Sequence, residues 1–123
     1  MEDVKQTAVA TEEKKTNVTE SDTDGLNYTH VFKKPFEFEG KTYDKLNFDF
    51  EGLLGSDMIA VENEMAAVGE YVLSPEISTS FLSKMAARAA GVGSDLIEHL
   101  PIRDFGKIKN KSRDFLVTTG LTD

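Results

Sequence analysis

The chain has no cysteine and no tryptophan, and it holds only three prolines and two histidines among 123 residues. Without cysteine, neither a disulfide nor a thiolate metal site can form, which fits a reducing cytoplasm. No apolar run approaches the ~18 residues that a membrane span needs. The N-terminal stretch is polar, with no apolar segment of signal-peptide length, so a soluble cytoplasmic protein is expected. The N-x-S/T sequences at Asn17, Asn27 and Asn110 are then coincidental. An excess of positive charge is also lacking. The net charge is −8, and an acidic surface repels both nucleic-acid phosphates and anionic membranes, so neither is expected as a partner. No Gly-x-Ser-x-Gly elbow and no phosphate-cradling glycine loop occurs.

What the chain does contain is a change of hydrophobic period. Up to Phe48-Asp49-Phe50, apolar residues recur every second position, as in strands. Beyond Gly52-Leu53-Leu54-Gly55, Met58, Val61, Met65, Val68 and Val72 recur at steps of three and four, as along a helix face. An α+β fold follows, a β-hairpin packed on three or four short helices. Residues 1–30 carry seven acids and three bases, and their apolar residues follow neither period. They are expected to form a flexible acidic tail, leaving 31–123 as a single domain with a hairpin over 31–50 and helices over 56–119.

The hairpin reading places Val31–Phe38 as an edge strand, because Pro35 has no N–H. The turn falls at Glu39-Gly40, and a second strand runs over Lys41–Phe50. A two-residue loop would pair Phe36 with Tyr43 and set Phe36 and Phe48 on opposite faces unless a bulge intervenes. An odd-length loop is therefore favoured. Ser56 or Asp57 is expected to cap the first helix, which ends near Gly69. Ser74-Pro75 is expected to open the second, with Phe81, Leu82, Met85, Ala86, Ala89 and Ala90 as its buried stripe. Ser94 or Asp95 caps a short third helix. Pro101 starts the last, whose apolar face is Ile102, Phe105, Ile108, Phe115 and Leu116.

No constellation of bond-making residues emerges, so no enzyme, metal or cofactor is expected. Glu20–Gly25 imitates the first half of a calcium loop, but Val31 stands where the closing bidentate Glu belongs, and an acidic linker is the reading. Asp95 and His99 lie four apart and are expected to pair on the surface. Glu62 and Glu64 point to different helix faces, with Glu62 near a helix interface and Glu64 solvated. Arg103, Lys107 and Lys111, at steps of four, form the one basic row, with Lys109 and Arg113 beside it; the favoured reading is a solvated face and the other a contact for an acidic protein partner. Met58, Met65 and Met85, with Phe81, have two readings: ordinary core, or an adaptable apolar groove for a partner helix.

From Pro35 onward, about ninety residues resemble the phage tail assembly chaperone family. The likeness rests on Lys34-Pro35-Phe36-Glu37-Phe38-Glu39-Gly40-Lys41, Leu46-Asn47-Phe48-Asp49-Phe50 and Leu53-Leu54-Gly55-Ser56-Asp57-Met58-Ile59 with Val61-Glu62. It closes with Met85-Ala86-Ala87-Arg88-Ala89-Ala90-Gly91-Val92, Leu100-Pro101 and Asp104-Phe105. The resemblance implies a host-cytoplasmic chaperone that keeps the long helical tape-measure protein soluble while tail-tube subunits assemble around it. It then leaves, and is absent from the finished virion. The family brings no catalytic residue. On this reading Met58, Met65, Phe81, Met85, Arg103, Lys107 and Lys111 contact the client, and self-association is left open. The rivals are an acidic inhibitor or mimic of a basic protein, and a structural virion component.

Overall fold

The computed structural model describes residues 24–120. Residues 1–23 of the expected acidic tail, with the first four residues of the calcium-like loop, lie outside the described residues; residues 24–30 are not tail but form a 3-10 turn, Asp24–Leu26, and the start of the first strand. The architecture is α+β, a two-stranded antiparallel hairpin followed by four helices. Strand β1 spans Tyr28–Phe38 and β2 spans Lys41–Phe48. β1 thus begins three residues earlier than Val31, because Tyr28, His30 and Phe32 continue the every-second-residue face. His30 and Phe32 are buried on that face.

The favoured odd-length loop is not what forms. Phe36 pairs with Tyr43 and Phe38 with Lys41 across a two-residue Glu39-Gly40 turn. Both turn residues have positive φ, 51° and 80°, the backbone that matches the right-handed twist of flanking strands. A register irregularity restores the common face. Between the pairs Val31–Lys45 and Phe36–Tyr43, the β1 residues Phe32, Lys33, Lys34 and Pro35 stand against Asp44 alone. Proline tolerates such a site because it has no N–H to place in a ladder. Phe32, Phe36, Phe38, Leu46 and Phe48 consequently all pack into one cluster.

The joint is a one-turn 3-10 helix, Phe50–Gly52. Asp49 accepts from the Gly52 N–H, and the Asn27 side chain ties this turn to the start of β1 through Asp49 and the Glu51 N–H. Helix α1, Gly55–Ala67, follows. Its N-cap is Leu54 instead of Ser56 or Asp57. The chain enters extended at Leu54, and Asp57 reaches back to accept from the Leu54 N–H at 2.7 Å. At its other end Gly69 takes φ +81°, so Gly69 and Glu70 N–H groups close on Ala66 and Met65 carbonyls. Val68 is past the last turn and exposed, off the expected stripe.

Pro75 does not open α2. It starts a separate 3-10 turn, Pro75–Ile77, and α2 runs Thr79–Ala90 from Ser78, whose hydroxyl accepts from the Phe81 N–H. The short α3, Ser94–Glu98, is entered through Gly93 in place of Ser94 or Asp95, and α4 spans Ile102–Thr118 after Pro101. Ile102 leaves the expected apolar face of α4: it is 80% exposed, because the first turn overhangs the core.

Helix α2 is the centre of the molecule. It touches α1, α3, α4 and β2, and every residue from Phe81 to Ala87 is buried. Ala86, Ala87 and Ala89 let the sheet side approach closely, where Phe48, Phe50, Ile97, Ile108 and Phe115 fill the larger cluster. Val61, Met65, Phe81, Leu82, Met85 and Leu116 form the second cluster, between α1, α2 and α4.

Candidate functional site

The sequence-predicted contact residues divide into two groups. Met65, Phe81 and Met85 are 2%, 0% and 3% exposed. They are core, and the expectation that they offer a groove is overturned. One amphipathic α1 cannot present a Met face to a partner while that same face covers α2. Met58 is half-buried against the same cluster. Arg103, Lys107 and Lys111, by contrast, are exposed on α4. Lys111 sits over the Tyr28 ring, 5.2 Å from its centroid.

Arg103 and Lys107 do not stand alone. The irregularity in β1 swings Lys33 and Lys34 toward the first turns of α4, and between them lies a cavity of about 500 Å³. Its walls include Val31, Phe32, Pro35, Phe36, Pro101 and Ile102, with Lys33, Lys34, Arg103 and Lys107 as its cations. None of these four cationic side chains makes an ion pair or hydrogen bond among the described residues. Val31 and Ile102, on either side, are 68% and 80% exposed. The groove is thus apolar below and basic around its mouth. The sequence pointed to the α4 half of it; Lys33 and Lys34 joined through the bulge alternative that the sequence reading set aside.

His30 forms the inner wall. Its Nε2 lies 2.6 Å from Asp104 Oδ1 and its Nδ1 2.7 Å from the Tyr28 hydroxyl. With Nε2 donating to the carboxylate, Nδ1 accepts the hydroxyl proton, so both ring nitrogens are satisfied in a site only 3% exposed. Burial, and then the nearby Asp104 charge, push the Tyr28 hydroxyl above its ordinary range. The arrangement spans 74 positions of sequence and fastens β1 to α4. Placing His30 in the tail concealed it; the Tyr28-His30-Phe32 alternation was the available signal.

The remaining polar contacts also join elements. Lys84, on buried α2, extends its ammonium to Glu98 at 3.0 Å and to Glu64 at 3.4 Å. The Ser94 hydroxyl donates to Glu64 at 2.6 Å. Burial alone would lower the Lys84 pKa, but its two carboxylate partners outweigh that and raise it. Glu64 is held below its usual range by Ser94 first, and then by Lys84 against the opposing effect of burial. Glu64 is exposed as expected and is also a network member, whereas Glu62, expected near an interface, is exposed. Arg88 Nε meets Asp57 at 2.7 Å. For Asp57 the upward push of burial is overcome by the Leu54 N–H and Arg88. His99 does not pair with the Asp95 carboxylate; its Nδ1 lies against the Asp95 carbonyl oxygen, and its ring is beside Phe38.

A second surface lies in the connection between α1 and α2. Val68, Tyr71, Leu73 and Ile77 are all exposed, Leu73 at 94%. Among the described residues, no group of three or more His, Cys, Asp or Glu side chains is arranged to hold a metal ion. Nor is any described helix long and apolar enough to cross a membrane. No protein-family model, no curated protein and no solved structure matches the chain.

Proposed function

We propose that the protein is a tail assembly chaperone that binds the tape-measure protein and holds it soluble until tail-tube subunits replace it. The observation that supports this reading is the ordered series of sequence words from Lys34 to Phe105, which resembles that family. They fall on the hairpin, the joint, the first turns of α1, the last turns of α2 and the start of α4. One surface and the overall charge suit the role. Val68, Tyr71, Leu73 and Ile77 offer apolar contact to an amphipathic client helix. The net charge of −8 keeps the chaperone and its cargo dispersed. The client face is thereby assigned to the α1–α2 connection and not to the buried methionines. The chaperone acts in the host cytoplasm and is released before the virion is complete.

Co-expression with tape-measure fragments tests this. The intact chain should move a fragment into the soluble fraction and elute with it on gel filtration. Tyr71→Ser with Leu73→Ser should lose that effect while keeping the parent melting temperature, because both side chains stand in solvent. Fragments that stay insoluble beside the intact chain would remove the reading; a double variant that still solubilises them would remove only the contact assignment.

A further inference from the structure

We infer that the groove between the β1 irregularity and the start of α4 is a docking site for an acidic peptide segment of a partner protein, one bearing apolar side chains among its carboxylates. The inference does not depend on what the protein chaperones. It rests on charge and shape. Lys33, Lys34, Arg103 and Lys107 surround a cavity of about 500 Å³ and have no partners of their own among the described residues. On a protein of net charge −8, such a cluster stands out against its surroundings. Unpaired cations of one sign gathered on one opening complement carboxylates, and this sets orientation and encounter rate more than depth of binding.

The floor decides between anions. Val31, Phe32, Pro35, Phe36 and Ile102 give it an apolar lining that a phosphate backbone cannot use and a Leu or Phe side chain can. The remaining acidic surface repels a long polyanion, whereas a short acidic segment contacts the groove alone. Asp104 also lines the groove and offsets one of the four cations, which leaves a clear excess of positive charge around the opening. The wall is also preorganised: the Tyr28–His30–Asp104 chain pins β1 to α4, so little ordering is needed on binding. Phe32–Pro35, opposed by Asp44 alone, present backbone released from the β2 ladder beside which an extended segment can lie.

The test titrates the full chain with a labelled Glu- and Leu-containing peptide of about twelve residues at low salt. Saturable binding is expected. It should weaken about tenfold or more in Lys33→Glu/Arg103→Glu and also in the milder Lys34→Ala/Lys107→Ala, each checked to melt as the parent does. Replacing Leu by Ser in the peptide should weaken it as well, and exchanging Glu for Lys should abolish it. No saturable binding, or binding indifferent to both double variants, would overturn the inference. So would a single-stranded oligonucleotide that binds as tightly as the peptide. A gain of about tenfold in peptide affinity on Glu12→Gln/Glu13→Gln would assign the groove to the chain's own N-terminal segment. A dimer in sedimentation that the Lys33→Glu/Arg103→Glu change dissolves would assign it to a second copy.

Discussion

Residues do their work here in the few buried polar groups. His30 links two elements with both ring nitrogens, so His30→Ala removes two hydrogen bonds and opens a void beside Phe32. A loss of about 2–4 kcal/mol in urea unfolding is expected, against about 1 kcal/mol for Tyr28→Phe, which removes one. Ser112 is the opposite case. Its hydroxyl is buried without a partner among the described residues, so Ser112→Ala should raise stability by about 1 kcal/mol. The ionic contacts predict a pH window. Asp57 and Glu64 have folded pKa values below their unfolded ones. Their contribution is complete above the ordinary carboxylate range, about pH 4–5, and is lost as pH falls through the lowered folded values. Lys84 and Tyr28 are raised, so theirs is complete below about pH 10 and is lost as pH rises through the folded values. Thermal melts across pH should show a plateau with both shoulders, and Asp57→Asn/Glu64→Gln should flatten the acid one.

Elements were legible where period and punctuation act locally. The hairpin, the order of the helices and the stop at Gly69 follow from alternation, three-four spacing and a glycine that takes positive φ. The misses share a cause: each was decided by something distant or by backbone alone. Leu54 caps α1 without any side-chain oxygen of its own, with Asp57 answering from inside the helix. β1 reaches back to Tyr28 along a legible alternation, but the anchor of that extension is distant: Asp104, on a helix far along the chain, gives His30 a partner. The turn is two residues long because the irregularity at Phe32–Pro35 absorbs the parity conflict. That turn yields a prediction at its own scale. Glu39 holds φ 51°, a conformation that asparagine adopts more readily than glutamate. Glu39→Asn should therefore stabilise the protein by about 0.5–1 kcal/mol without altering the hairpin register, read by denaturant unfolding and by cross-strand nuclear Overhauser effects.

The whole molecule is a small core wrapped around α2, with two separate outward surfaces and, Ser112 apart, its described internal polar groups committed to one another. Of the contact residues that the sequence proposed, the cationic side chains Arg103, Lys107 and Lys111 reach solvent and the methionine face does not. A helical pattern cannot tell an apolar stripe that meets its own core from one that awaits a partner, and in a domain this small the core claims it first. The proposed apolar contact surface lies in the α1–α2 connection, where no regular helical spacing marks Tyr71, Leu73 and Ile77 as exposed. The most direct measurement is to quantify this chain, relative to the tape-measure protein, in assembly intermediates isolated from infected cells and in purified particles. The account predicts that the two co-purify before the tube is built and that the chain is missing from the particles. Finding it in the particles in fixed ratio to a tail protein, or never finding it with the tape-measure protein, would contradict the account.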